Sequence, residues 1–213
     1  MTPEQTPIPS CDEVLAFWFP AGLGRDSATL LRQAEWWFRG GADEEILRRF
    51  SRVLELAERG ALDHWSNQPD SRLALILVLD QFSRSAYRGS ARAYSNDPKA
   101  LALALDGIES GHYAALAQPW QKTFFILPLG HSEQLAHLDR AVELAEELVH
   151  EARGDLRTWF EFSASQARGH RDVVARFGRQ PHRNELLGRP STDEEREYLA
   201  RGEFVHTRPV PRE

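Results

Sequence analysis

The sequence predicts an all-α protein of about eight or nine helices packed in antiparallel pairs. Three observations carry the prediction. Ile46, Phe50, Val53, Leu54 and Ala57 fall at i, i+4, i+7, i+8 and i+11, the spacing of one apolar helix face. Capping and stop residues bracket such stripes along the chain, from Ser10 before the first to Gly178 after a later one. No segment combines two-residue alternation with the turn residues of a hairpin.

Taken in order, Ser10-Cys11-Asp12-Glu13 has the form of a capping box. Behind it Val14, Leu15, Trp18 and Phe19 share one face of a helix that Pro20 stops. Asp26 or Ser27 caps a second helix, which ends on Trp36, Trp37 and Phe38 ahead of Gly40 and Gly41. Asp43 opens the third, with acids in its first turn where the helix dipole favours them, and Gly60 stops it. Residues 73–79 are apolar without a break. Periodicity alone does not separate a buried strand from a buried helix here. Asp70 and Ser71 precede the run, leucine and alanine favour helix, and no partner strand exists, so a helix is expected. A helix apolar all round is central, and this one runs on into Asp80, Gln81, Phe82 and Arg84.

Asp97 reads as a cap with Pro98 at the first helical position. Pro119 starts another helix, ended by Pro128 and Gly130. Ser132 is expected to cap the longest helix, with Leu135, Leu138, Val142, Ala145 and Val149 as its buried stripe. Residues 156–177 are helical again, with Phe160, Ala167, Val174 and Phe177 inward, until Gly178 and Pro181. Asn184 caps one short turn, and a second capping box, Ser191 to Glu194, opens a last helix through Leu199. Residues 1–10, with three prolines, read as a flexible lead-in, 11–202 as one helical domain, and 203–213 as a loose tail.

The 213 residues suffice for a substantial core, and 41% hydrophobic with 27% charged residues is ordinary for a globular chain. Apolar runs are too short to span a bilayer, and the first residues lack the pattern of a signal peptide, so no membrane association and a cytoplasmic location are expected. A net charge of -6 argues against nucleic acid as partner. The single cysteine, Cys11, allows no intramolecular disulfide and no thiolate metal cluster.

One stretch departs from the acidic average. Residues 170–189, HRDVVARFGRQPHRNELLGR, hold five arginines and two histidines against Asp172 and Glu185, a formal charge of +3. Together with FWFP at 17–20, LDQFSR at 79–84, YRGSARAY at 87–94 and PLGHSE at 128–133, the run from His170 to Thr192 resembles a mainly bacterial domain of unknown function, family 924. The resemblance extends from residue 12 to residue 200. It implies a helical fold similar to the tetratricopeptide-like superfamily, although the tryptophan, glycine and tyrosine spacing of that repeat is missing here. It implies no reaction and no ligand. In one place the chain departs from the family form PLEHSE: Gly130 stands where a glutamate is expected before His131.

Three clusters carry the chemistry on offer. Asp80, Gln81 and Arg84 end the apolar rod, with Asp80 and Arg84 spaced for an ion pair. His131, Ser132 and Glu133 open the next, and His131, in register with Leu135, Leu138 and Val142, is expected to face inward. Glu133 and His137 are spaced i, i+4 on the face expected to be exposed. The third is the basic stretch. His170 is in register with Ala167, Val174 and Phe177; Asp172 and Arg176 are spaced as a pair; Arg171 adds charge; Arg179 follows a helix C-terminus that favours cations. His182 and Arg183 have no such excuse, being in a loop pinned by Pro181.

Each cluster has a plain structural reading as an ion pair, a cap or a hydrogen-bonded core histidine. The functional reading is a cationic wall of Arg183, His182, Arg179 and His170 facing Asp80, Gln81, Arg84 and His131, which binds an anionic small molecule, as an enzyme or otherwise. The alternative is an interaction module that takes a peptide or protein partner in a groove. No H-E-x-x-H, P-loop, G-x-G-x-x-G or G-x-S-x-G occurs, so neither cofactor nor metal is expected. Were a metal bound, His131, Glu133 and His170 would be its ligands.

Overall fold

The computed structural model describes residues 7–152, 154–202 and 204–211. Among them every regular element is helical: α1 (Cys11–Trp18), α2 (Ser27–Phe38), α3 (Asp43–Glu58), α4 (Pro69–Leu77), α5 (Ser83–Ala86), α6 (Asp97–Glu109), α7 (His112–Ala115), α8 (Pro119–Gly130), α9 (Leu135–Glu151), α10 (Arg157–Phe177) and α11 (Asp193–Arg201), with short 3-10 turns between. Short connections make α8, α9 and α10 successive antiparallel neighbours.

The apolar rod is the axis. Leu73 to Leu79 are all fully buried. Helix α4 packs against α1, α6 and α8, and the π-helical turn that continues it, Val78–Phe82, packs against α3. A π turn inside an α-helix is rare, and its extra residue rotates the faces of the next turns. Here it carries Asp80 and Gln81 into the interior beside Phe82. Around the rod Trp18, Trp37, Phe50, Phe82 and Phe124 form a net of edge and tilted ring contacts. Gly107 of α6 is needed where the rod's first turn meets α8, since a Cβ there would lie 2.5 Å from the Phe125 ring and 2.7 Å from Arg72 Cδ.

The first capping box forms as expected, with Glu13 N–H donating to Ser10 and Glu13 accepting from the Ser10 N–H. Asp26 caps α2. The second box lies one residue later than the spacing suggested: Thr192 and Glu195 make it, not Ser191 and Glu194. Asp97 is the first residue of α6 rather than its cap, which frees its carboxylate for other work. Pro128 sits inside α8, which runs to Gly130.

The expectations for α9 fail in register. Ser132 does not cap it; its hydroxyl accepts from the Gln134 N–H and meets His137, and the helix starts at Leu135. The buried stripe is therefore Leu138, Ala141, Leu144, Ala145 and Leu148, while Leu135 is exposed. The longest helix is α10. Asn184 follows a 3-10 turn, Pro181–Arg183, and cross-links the loop after it through Ser191, Arg189 and Glu195. The tail expected to be loose is held where it is described: Val205 and Val210 are buried, and Arg39 donates to the carbonyls of Thr207 and Arg208. Residues 1–6 and 212–213 of the expected flexible ends lie outside the described residues. No described helix is long and apolar enough to cross a membrane.

The rod's burial sets a first prediction. Leu75→Ala, at the fully buried centre of α4, is expected to lower stability by about 2–5 kcal/mol while leaving the helical signal of the folded state intact. Urea denaturation monitored by circular dichroism measures it.

Candidate functional site

The rod's polar end faces a cavity of about 360 Å³ whose walls come from α5, α8, α9, α10, the 181–183 turn and the tail. Its chemistry starts from one carboxylate. Asp80 is 1% exposed. Its Oδ1 accepts from His131 Nδ1 at 2.7 Å and lies 3.2 Å from Arg84 Nη1, while Gln81 donates to Oδ2. Burial alone would raise its pKa; Arg84 and His131 outweigh burial and hold the carboxyl well below the usual range. A carboxylate only accepts, so the proton of the His131 ring sits on Nδ1. Nε2, across the ring, makes no hydrogen bond among the described residues, and His131 is part of the cavity wall. An orienting carboxylate behind an imidazole is the arrangement a general base requires.

Arg84 carries the network outward. It donates to the Asp80 carbonyl at 2.8 Å and grips Asp97 with both terminal nitrogens, at 2.9 and 3.1 Å. Arg183 shares that carboxylate, but at 3.3 Å and with one nitrogen. Its guanidinium lies over the Tyr94 ring, 4.8 Å from the centroid. Arg183 is only 7% exposed, and its buried Nε has no hydrogen-bond partner among the described residues. Burial and the neighbouring Arg84 both weaken its hold on its proton.

Three histidines complete this end. His170 lies in the cavity wall with Nδ1 buried and unpartnered among the described residues. Burial first, then the charges of His131, His206 and Arg183, lower its pKa to about 3. The ring of His182 meets that of His206 at 4.5 Å, and His206 stacks on Phe204. Burial and the neighbouring His206 and Arg183 lower His182 to about 2. His170 and His182 are neutral at pH 7.

Gln81, Arg84, His131, His170, His182 and Arg183 thus line one cavity, with Asp80 directly behind them. The other three candidates lie elsewhere. Arg171 points outward to Asp139. Arg179, expected in the cationic wall, is gripped through two nitrogens by Glu195, at 2.6 and 2.7 Å, and donates to the Pro190 carbonyl. Glu133 is not in the first turn of α9 and does not pair with His137. It accepts from Arg189 at 2.6 and 3.0 Å and from the Gln180 N–H at 2.7 Å. These two pairs fasten the loop that carries His182 and Arg183. Asp172 and Arg176 do not pair; Arg176 goes to Glu194. His131 faces inward as expected, although from the end of α8 rather than the head of α9. Among the described residues no three His, Cys, Asp or Glu side chains are placed to share a metal.

Sequence reasoning passes over Asp97, Tyr94, Arg189 and His206. Asp97 gives a signal, but one that reads first as a helix start. The others are separated from their partners by tens of residues, and no spacing rule reaches that far.

Fold and site together define a helical protein with a cavity, one end of which is built from arginine, histidine and a buried carboxylate. The chain belongs to the family described as bacterial protein of unknown function (DUF924), whose model matches residues 14–203. It is similar to the solved structure of ATU0120, a protein of unknown function from Agrobacterium tumefaciens, at 36% identity and a TM-score of 0.73, over 90% of this chain and 97% of that one. Among proteins of curated function none matches.

Two predictions test the electrostatics. Asp80→Asn leaves Arg84 its bond to Asp97 but removes the charge, and an amide can turn either its oxygen or its NH2 to His131; the change is expected to cost about 3 kcal/mol at pH 7. Nitrogen-15 NMR of the His131 ring should show Nδ1 protonated in the wild type and a mixed tautomer in the variant. A histidine held neutral by the fold gains a proton on unfolding in acid, so His170 and His182 favour the unfolded chain below pH 6.5, increasingly so towards pH 3. Stability should therefore be flat above pH 6.5 and fall as the pH drops below it. His170→Gln with His182→Gln should flatten the curve between pH 6.5 and 4, above the window in which Asp80 titrates. Denaturant midpoints across pH give both curves.

Proposed function

We propose that the cavity binds an anionic small molecule at its arginine and histidine end, and that the Asp80–His131 pair supplies a proton acceptor there for an enzymatic step. The observation that supports this is Arg183. A buried guanidinium without full compensation costs several kcal/mol, yet the carboxylate it touches is already gripped by Arg84 through two nitrogens. Its Nε faces no acceptor among the described residues. A carboxylate or phosphate in the cavity beside this guanidinium would supply the negative charge of which the protein leaves it short.

The alternative, a helical module with a groove for a peptide or protein, would be supported by a continuous apolar surface. The exposed large apolar side chains, Ile8, Phe38, Leu47, Leu135 and Leu187, come from separate parts of the chain. The cavity reading is the one that the histidines and Arg183 favour.

Arg183→Ala separates the two. Asp97 keeps Arg84, so the change strands no carboxylate, and stability should stay within about 1 kcal/mol of wild type or rise. Melting is measured for both proteins with and without phosphate, citrate and a panel of nucleotides. At least one anion is expected to raise the wild-type melting temperature, and the effect should vanish in the variant. Gly130→Glu is a second probe. A Cβ there meets nothing within 4 Å at the cavity wall, so the variant should fold while its carboxylate weakens anion binding. A wild type indifferent to every anion, together with an Arg183→Ala protein destabilised by about 3–5 kcal/mol, would make the cluster a structural network.

A further inference from the structure

Two helices line the cavity along their lengths. On α10 the cavity-facing residues are Trp159, Phe162, Ser163, Gln166, Ala167 and His170, spaced i, i+3, i+4, i+7, i+8 and i+11, one continuous face. On α8 they are Thr123, Ile126, Leu127, Gly130 and His131, again one face. Each helix is an antiparallel neighbour of α9, so α8 and α10 run in the same sense. The α10 face starts at Trp159 and Phe162, and both faces end at a histidine in the wall of the same cavity. The third wall, α9, faces the cavity with Ala141 and Ala145, small side chains that leave it open. At the apolar end Trp159 meets Trp37 and Phe38, with ring centroids 6.0 and 6.3 Å apart. From Trp159 to His170, eleven residues at 1.5 Å each give a run of about 16 Å.

The cavity is thus elongated and polarised: indole and aliphatic walls at one end, Arg183 with neutral imidazoles at the other. From this we infer that its ligand is amphipathic, an anionic head (carboxylate or phosphate) on an alkyl, acyl or arylalkyl chain, with the head at Arg183 and the chain lying along α8 and α10 towards Trp159. The inference rests on the anion-binding reading for its head and on the separate observation of the apolar run for its tail. Arg183 shares Asp97 with Arg84, and Arg39 and Arg208, which also line the cavity, make no ion pair among the described residues. His170 and His182 offer donors without added charge. A small hydrophilic anion such as citrate would leave the indole end empty.

A chain-length series in the wild type tests this without any variant. Dissociation constants are measured by calorimetry for acetate, hexanoate, octanoate and decanoate below its micelle-forming concentration, with decanol and decyl phosphate beside them. Affinity is expected to rise about three- to fourfold per added methylene while the chain stays within the apolar run. Decanoate and decyl phosphate should each bind at least tenfold more tightly than decanol. Ala145→Met, which narrows the apolar length, should weaken decanoate at least tenfold and leave acetate unchanged. Arg183→Ala should reduce decanoate to the level of decanol. Binding of acetate, phosphate or citrate with no gain from a longer chain would overturn the amphipathic ligand and leave the anion site standing. Equal binding of decanol and decanoate would overturn the head-group site as well. No binding by any member of the series would overturn the inference, and the phosphate, citrate and nucleotide melts would then decide the anion site alone.

Discussion

The cavity depends on one buried charge. Asp80 lies on a π turn of a helix that is otherwise apolar, 1% exposed. A lone carboxylate in such a place would take up a proton or destabilise the fold by several kcal/mol. It stays charged because three neighbours answer it: Gln81 from the same turn, Arg84 from the next, and His131 from the end of α8. Each answer fixes a position. His131 is held by its ring nitrogen, which sets its tautomer and its plane. Arg84, drawn inward, holds Asp97 at the start of α6, and Asp97 in turn takes Arg183. A chain of charge-assisted bonds thus runs from the middle of the rod to a loop more than eighty residues away.

That loop is fastened a second time. Glu133 is the acceptor for Arg189 and for the Gln180 N–H, and Glu195 is the acceptor for Arg179 and Asn184. Isolated surface ion pairs contribute little to stability. These are partly buried, contacted by several donors each, and placed on either side of the turn that bears His182 and Arg183. Their effect is geometric: a loop with one short turn and no apolar stripe is given one conformation. The tail adds a further restraint by stacking Phe204 and His206 against His182.

How far the sequence can be read depends on how local its causes are. The rod is legible because seven apolar residues in a row have few alternatives, and the first capping box because both of its partners lie within four residues. Local signals mislead where a residue has a better partner far away. Ser132 and Glu133 resemble the opening of a helix, but Glu133 is taken by Arg189, 56 residues on, and α9 starts late. The register of its stripe moves with it. Asp97 resembles a cap, but its carboxylate belongs to two arginines. Composition singles out the basic stretch, yet composition does not say which arginine faces inward. Arg179 finds Glu195, and Arg183 finds half of Asp97. The π turn leaves no mark at all, since no glycine or proline announces it.

The asymmetry between those two arginines is the physical content of the site. Arg179 is paired through both of its contacts with a carboxylate and has no need of a ligand. Arg183 has more burial and less compensation. In the empty protein the surrounding histidines keep the cost tolerable by staying neutral: His170 and His182 would each add a positive charge beside Arg183 if protonated, and burial prevents it. Neutral imidazoles also retain a nitrogen that accepts and one that donates, so they can meet an anionic head and the water that accompanies it without competing for its charge. The anion proposed for this wall would therefore meet no charge but that of the arginines, and the same two helices, α8 and α10, carry His131 and His170 into it.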